Sequence, residues 1–377
     1  MDDLKFGFRD KRGNWSPDAV LDIAPFWSGR WSKMGAFLIE YLWPWNAFHM
    51  ATALLYWVFL IPDIETMQTL GWGWALRLFA ANAIGIFVLF GAVEFFYYVK
   101  RKQDTRFKYN AKFPSEHPSD VFWFKRQNLD NFLRTYLSSI PLWTLCQVLV
   151  LWAWANSWGN WVEWDTHWPW LILVTLLVPA IHEVHFFFIH RLIHTPWLYK
   201  RVHSVHHNSI NPSPWSSLSM HPVEGALYFA EVFWHVLIPS NPVVMMFQLN
   251  STGFGAINGH IGFDKLEITD EAALDSHAYA HYLHHKYFEV NYGAEGLVPL
   301  DKWFGYGKNH KPRHGKVYRN FAPELARLQN ERIAAFREFK ADVDAGGYPE
   351  PEHCVPIADG EFSAFLAKAH PDGEDHG

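Results

Sequence analysis

Histidines are concentrated in one part of the chain, since 14 of the 22 lie between His182 and His285. Neutral imidazole is a good ligand for iron, zinc or copper. On a helix, residues three and four apart share a face, so each histidine box is expected to point two or three imidazoles in one direction. The pattern predicts a metal centre. The three boxes are His190/His194, His203/His206/His207 and His281/His284/His285.

Two further histidines, His221 and His260, lie between the boxes and bring the predicted ligand set to ten. One zinc ion or one haem iron takes far fewer protein ligands, whereas two ions with four or five nitrogens each use the whole set. A dimetal centre is therefore predicted. Isolated histidines such as His49, His167 and His235 are expected to be structural.

The stretch HEVHFFFIHRLIH, from His182 to His194, resembles a zinc protease motif only superficially. That motif is H-E-x-x-H, and here the second histidine, His185, comes one residue early. The pair His190/His194 has the right spacing but carries Arg191 instead of glutamate after its first histidine. A membrane protein that binds haem or transports metal remains an alternative, although haem requires histidines at facing depths in separate membrane helices.

The composition indicates a membrane protein with large polar portions. Half of the residues are hydrophobic, 18% are aromatic and 21 are Trp, yet the mean hydropathy is only -0.11. The net charge of -6 argues against a nucleic-acid partner. Two cysteines, Cys146 and Cys354, supply no disulfide framework. The N-terminal residues contain no apolar core, so a cleaved signal peptide is not expected.

Four apolar segments are each long enough for a membrane helix, which takes roughly 20 residues. The links within each pair contain no Lys or Arg, whereas Lys100–Arg134 holds nine basic residues, and this places that linker, both termini and the histidines in the cytoplasm. We therefore predict an all-α membrane protein with about four transmembrane helices in two hairpins, capped by a cytosolic helical histidine-rich region that binds metal. The segments are Trp43–Ile61, Trp74–Val99, Tyr136–Trp158 and Trp168–Ile189.

The predicted organisation is sequential along the chain. A short apolar hairpin at 222–257 is expected inside the catalytic cap, partly buried or re-entrant. Near the C-terminus, Pro323 and Gly346 bound an amphipathic soluble helix, and the final residues PDGEDHG are expected to be disordered. The regions are 1–40 (cytosolic segment), 41–100 (first hairpin), 101–135 (basic linker), 136–189 (second hairpin), 190–310 (histidine-box cap) and 311–377 (soluble helix and tail).

Helix length locates the predicted metal centre at the membrane surface. His190 lies roughly 33 Å along a helix that starts at Trp168, at about 1.5 Å per residue. The first box therefore emerges at the cytoplasmic edge of the bilayer, where lipid chains and soluble electron donors can both reach it. Glu183 lies deeper and is predicted to orient an imidazole ligand.

The three boxes resemble the membrane-bound fatty acid hydroxylase/sterol desaturase superfamily, whose pattern is H-x3-H, H-x2-H-H and a second H-x2-H-H with single histidines between. The single histidines are similar to His221, which precedes Pro222, and to His260 in GHIGFD. The family's NYG and WD..FG elements resemble Asn291–Gly293 and LDKWFG at Leu300–Gly305. The resemblance covers about residues 170–310.

This resemblance implies a membrane scaffold with a cytosolic di-iron centre that uses O2 to oxidise a C–H bond of a lipid or sterol-like substrate. We expect hydroxylation, with desaturation as the alternative. Glu183 and Asp264 are the carboxylates predicted to orient the metal ligands. Electrons are expected from a separate protein of the ferredoxin, rubredoxin or cytochrome b5 type. The bacterial inner membrane is favoured over the endoplasmic reticulum.

Overall fold

The computed structural model describes residues 1–18, 23–114, 117–293, 296–307, 322–354 and 356–369. The chain is mostly helical and divides into two compact units, Met1–Arg313 and His314–Gly377. All the histidine boxes lie in the first unit.

The longer helices of the first unit carry most of its structure. They are α1 (Met34–Leu42), α2 (Trp45–Phe59), α3 (Trp72–Val99), α4 (Gln127–Ala155), α5 (Trp164–Ile193), α6 (Pro222–Phe229), α7 (Pro242–His260) and α8 (Tyr279–Tyr287). Shorter helical turns are Asp3–Lys5, Pro25–Ser28, Trp31–Lys33, Ile64–Met67, Trp123–Lys125, Pro196–Leu198, Tyr199–His203, Ser204–His207, Pro214–Ser216, Ala230–Phe233, Trp234–Leu237 and Leu300–Phe304. Two antiparallel pairs of strands complete it, β1 (Gly7–Arg9) with β2 (Trp15–Pro17) and β3 (Lys265–Glu267) with β4 (Ala273–Asp275).

Within the described residues, three helices, α3, α4 and α5, are long and apolar enough to cross a membrane. The most apolar 18-residue stretches of α3 and α5 are only 22% buried inside the protein, so their outer faces present apolar side chains. Helix α4 is 61% buried over the corresponding stretch. Such exposed apolar faces support association with a membrane.

The prediction of four transmembrane helices is not confirmed, because the first apolar segment forms a shorter helix. Helix α2 has 15 residues, about 22 Å at 1.5 Å per residue, whereas the hydrocarbon core is about 30 Å thick. Proline explains both ends. Pro44 immediately precedes α2, and Pro62 disfavours helical conformation at Ile61, so the helix must end before it.

The predicted ends of the other three segments also shift. Helix α4 begins at Gln127, inside the stretch that the sequence assigned to a basic linker, and α5 extends to Ile193. The extension matters for the histidines, because His190 then lies in the last turn of α5 and His194 directly follows the helix.

Helix α7 is the central helix of the first unit. Fifteen of its 19 residues are buried, and it packs against α2, α4, α5 and α8. Close approach depends on glycine, since a Cβ on Gly253 would lie 2.5 Å from the Trp143 ring. The apolar stretch predicted as a short hairpin at 222–257 is therefore α6, two helical turns and this core helix.

The second unit contains two helices, α9 (Ala322–Asp344) and α10 (Asp359–Ala369), with a short turn at Pro351–His353. Helix α9 occupies the segment for which the sequence predicts an amphipathic helix: Pro323 lies in its first turn and Gly346 follows its end. The tail predicted to be disordered lies outside the described residues.

Candidate metal centre

Five histidines from the three boxes converge on one point. Each offers one ring nitrogen, and these nitrogens all lie within 4.8 Å of one another. Helix α5 contributes His190, and His194 directly follows α5. The helical turns after Pro196 contribute His203 and His207, and α8 contributes His284. We call this set cluster 1; its members are His190, His194, His203, His207 and His284.

Four more histidines form a second convergence, which we call cluster 2, again with ring nitrogens within 4.8 Å of one another. All four are buried. One of them is His260, the last residue of α7, which lies between the boxes in the sequence. Helix α8 contributes two more, His281 and His285. The members are His206, His260, His281 and His285.

Each H-x2-H-H box divides its histidines between the two clusters. His203 and His207, four residues apart, belong to cluster 1, whereas His206 between them belongs to cluster 2. In α8 the same division places His284 in cluster 1 and its neighbour His285 in cluster 2. The expectation that a box points in one direction holds for His190/His194, which both belong to cluster 1. It is wrong for the two H-x2-H-H boxes, because adjacent residues on a helix diverge by about 100°.

The imidazole nitrogens within a cluster are close enough to share one ion. In cluster 1, Nε2 of His190 lies 3.1 Å from Nε2 of His203, and Nε2 of His284 lies 3.1 Å from Nε2 of His207. In cluster 2, the Nε2 atoms of His206 and His260 are 3.0 Å apart. Two nitrogens bound to one ion at about 2.1 Å, with 90–110° between them, are about 3.0–3.4 Å apart.

The tautomers show that these contacts are not ordinary hydrogen bonds. The Nδ1–H of His260 donates to the Ala256 carbonyl at 3.1 Å, and that of His206 faces the Ser219 carbonyl at 3.4 Å. A neutral imidazole has one donor, so each Nε2 then carries a lone pair, and two lone pairs face each other. A cation between them removes the repulsion. The residues of both clusters therefore fit metal ions.

Burial keeps these imidazoles neutral, which is the form in which a histidine binds a metal ion. Desolvation is the first cause that lowers the pKa of His203 and His284 well below the ordinary value, with neighbouring imidazoles adding to it. Burial also lowers the pKa of His206 to about 4.

The outer nitrogens of three cluster 1 histidines are held by neighbouring groups. The Nδ1–H of His190 donates to the Tyr292 carbonyl at 2.8 Å, and that of His284 donates to the Val290 carbonyl at 2.7 Å. His203 Nδ1 lies 2.8 Å from a carboxylate oxygen of Glu224, which is 4% exposed. Such contacts fix the ring orientation and strengthen the ligand.

The NYG and LDKWFG elements meet beside cluster 1. Asp301 accepts hydrogen bonds from the backbone N–H groups of Tyr292 at 2.8 Å and Gly293 at 2.7 Å. This contact fixes the backbone whose carbonyl, on Tyr292, orients His190. Both elements thus help to position a cluster 1 histidine.

One predicted ligand, His221, belongs to neither cluster. It caps the N-terminus of α6, where its Nδ1 accepts a hydrogen bond from the Val223 N–H at 3.1 Å. The HP pattern at this position therefore starts a helix: Pro222 occupies its first position, and α6 carries Glu224 towards His203.

The two carboxylates predicted to orient ligands have other contacts. Glu183 accepts hydrogen bonds from the backbone N–H groups of Leu297 and Val298, at 2.9 and 2.5 Å, and so holds the loop before Leu300. Asp264 accepts a hydrogen bond from the Tyr109 hydroxyl at 2.8 Å. These hydrogen bonds of Glu183 and Asp264 are with groups outside both clusters.

Sequence reasoning missed Glu224 and the backbone carbonyls that orient the rings. A carboxylate inside the apolar stretch after His221 was the available signal for Glu224, because an unpaired buried charge is costly. The carbonyls carry no signal, since every residue has one.

A cavity of about 620 Å³ lies against both clusters. Its size is within the range of small-molecule sites, about 300–1,000 Å³. Helices α1 and α2 line one side, and α5 and α7 line others. The cluster residues on its wall are His190, His203, His206, His260 and His281. Its large side chains include Phe37, Tyr41, Trp45, Phe186 and Tyr228.

Comparison with known proteins agrees with this geometry. Residues 174–306 match the fatty acid hydroxylase family, a range that contains both clusters. This matched region and the similar sterol desaturases support the fatty acid hydroxylase/sterol desaturase superfamily. The resemblance seen in the histidine boxes is thereby confirmed.

Similar members of this superfamily act on sterols by name. A Delta(7)-sterol 5(6)-desaturase of Gibberella zeae is 33% identical over 185 residues, covering 48% of this chain and 52% of the relative. A Delta(7)-sterol 5(6)-desaturase of Aspergillus fumigatus is 28% identical over 263 residues, covering 63% and 76%. Methylsterol monooxygenase 1 of Danio rerio is 28% identical over 162 residues, covering 39% and 54%.

The chain thus spans about half the length of the Gibberella zeae relative. No solved structure matches the chain. Sterol desaturase and monooxygenase relatives support an oxidoreductase that acts on a lipid-like substrate in a membrane context.

Proposed function

We propose that the chain oxidises a C–H bond of a sterol-like lipid with O2, at two iron ions held by the nine histidines of clusters 1 and 2. The observation that carries this proposal is the cavity that borders both clusters. A substrate in it lies against both sets of imidazoles while its apolar body is enclosed by aromatic side chains. The sterol class follows from the named relatives.

An alkyl C–H bond offers no polar handle, so acid–base side chains cannot activate it. A pair of bound iron ions would supply the oxidation chemistry with O2 and external electrons. The residues of this chain contribute ligation, orientation and exclusion of water. His190 is fixed by the Tyr292 carbonyl and His203 by Glu224, while Phe186 and Tyr228 line the cavity.

Desaturation is the proposed outcome, because two of the three relatives described above are named as sterol desaturases. Hydroxylation, which the sequence favoured, is the second candidate, since a methylsterol monooxygenase is also similar. Both remove hydrogen from carbon at the same centre, and they differ in whether oxygen is returned to it.

The proposal includes a separate electron-donor protein of the ferredoxin, rubredoxin or cytochrome b5 type, and a metal centre on the cytoplasmic side. The predicted bacterial inner membrane has no support from the comparisons, because the named relatives are eukaryotic. We therefore place the reaction in the endoplasmic reticulum as part of the proposal.

The test combines metal analysis with product analysis. The full chain, purified in detergent, is expected to contain two irons, and its expression in a sterol-producing host is expected to yield a new unsaturated sterol. His206→Ala should remove the product, whereas His167→Ala, which alters an exposed histidine, should not. One zinc per chain, or sterol profiles unchanged by the intact protein, would refute the proposal.

A further inference from the structure

His49, on α2, is a buried histidine that belongs to neither cluster. It is 3% exposed, and within the described part of the chain neither of its ring nitrogens has a hydrogen-bond partner. A buried polar group without a partner costs free energy, so native proteins rarely retain one without a reason. His49 lines the cavity that borders the metal clusters. A molecule in that cavity can supply the missing partner.

The ring of His49 lies about one helical turn from cluster 2. A Cβ on Gly255 of α7 would lie 3.1 Å from the His49 ring, and a Cβ on Gly259 would lie 3.2 Å from the ring of the cluster ligand His281. Residues four apart on a helix are on the same face, about 6 Å apart along its axis. If a polar group of a bound molecule is held at His49, carbon atoms a few bonds away in the same molecule can therefore lie against the clusters.

The chemistry of an imidazole favours a neutral alcohol as that group. Neutral His49 has one donor and one acceptor nitrogen, and a hydroxyl can pair with either. A carboxylate would add a charge to a buried position, at a larger desolvation cost. His182, whose Nδ1 lies 2.8 Å from buried Glu231, is another polar side chain on the cavity wall.

We propose that His49 binds the hydroxyl group of a sterol-like substrate and so selects sterol alcohols and sets which carbon is oxidised. This inference rests on the proposed function for its substrate class. His49 is then a positioning residue, and its effect is on substrate selection, not on metal binding.

The test is a binding measurement on the full chain in detergent, with cholesterol and with cholest-5-ene, the same molecule without its hydroxyl. Wild-type protein should prefer cholesterol by about tenfold, the value of one buried hydrogen bond. His49→Leu should abolish the preference while keeping affinity for cholest-5-ene, and His49→Gln should restore part of it. Phe37→Leu, at another cavity position, should change both affinities alike.

The outcomes separate this inference from the proposed function. Binding requires no turnover, so a hydroxyl preference that depends on His49 supports the inference even if no oxidised product forms. A wild-type protein that binds neither sterol, or binds both equally, overturns it. So does a His49→Leu protein that keeps the preference.

Discussion

The contact between Glu224 and His203 gives a sharp prediction about metal affinity. The two atoms are 2.8 Å apart, both residues are almost fully buried, and His203 is a cluster 1 histidine. Loss of such an outer partner typically weakens metal binding by 10–100-fold, or about 1.4–2.7 kcal/mol. Glu224→Gln keeps an acceptor oxygen but loses the carboxyl group, so we expect about tenfold. Glu224→Ala leaves the ring N–H without an acceptor, so we expect an effect near the upper limit.

The chain offers a matched control for this experiment. Glu231 is also buried and lies 2.8 Å from a histidine, but that histidine, His182, belongs to neither cluster. Glu231→Gln therefore makes the same chemical change at the same distance, away from the proposed ions. Iron retained per chain is measured for each purified protein across a series of chelator concentrations, alongside thermal unfolding to detect general destabilisation.

The reasoning is refuted if Glu224→Gln retains iron as the wild-type protein does, or if Glu231→Gln loses iron to the same extent. The first result would mean that His203 needs no carboxyl partner. The second would mean that iron loss reports damage to the fold and carries no information about ligand orientation.

The remaining predictions concern the ligand set and the packing of α7. His207→Ala should weaken iron binding at least tenfold, whereas His221→Ala should keep the wild-type iron content, because His221 lies outside both clusters. The iron content of each purified variant is measured by elemental analysis. Iron loss in both variants would show that His221 is a tenth ligand after all. Gly253→Ala should destabilise the fold by about 1–3 kcal/mol, because its Cβ would lie 2.5 Å from the Trp143 ring. Gly73→Ala, whose Cβ meets nothing within 4 Å, is the control in thermal unfolding, and equal melting temperatures would contradict the packing argument.

The histidine boxes could be recognised from sequence because ligand type and spacing are local properties. The structure brings nine of the ten predicted histidines together, and their role as ligands stays a prediction. His221 could not be separated from them, since a helix cap and a metal ligand both place a histidine before an apolar helix. Its following proline was the signal for a cap.

The division of each box between two clusters lay beyond the sequence argument. Spacing places His203 and His207 on one face, but it does not say what the neighbouring face meets. What the neighbouring face meets depends on the position of His260 at the end of α7, more than 50 residues further along the chain. Tertiary placement decides this assignment, so local periodicity was insufficient.

The membrane helices show the same limit. Composition correctly identified the apolar segments that form α3, α4 and α5. It overestimated the first segment because hydropathy counts apolar residues without regard to the prolines that bound α2, Pro44 and Pro62. Composition also predicted that α7 is part of a short hairpin that is partly buried or re-entrant. Helix α7 is apolar because most of its residues are buried inside the protein.

The alternation of neighbouring histidines between the clusters would couple the occupancy of the two proposed ion sites. His206 and His207 are joined by one peptide bond, as are His284 and His285, yet each pair reaches two different centres. Under the proposed function, the first ion to enter immobilises backbone that also presents histidines of the other cluster, lowering the entropy lost in the second binding event. Metal uptake should accordingly be cooperative, with chains either empty or fully loaded and few in between.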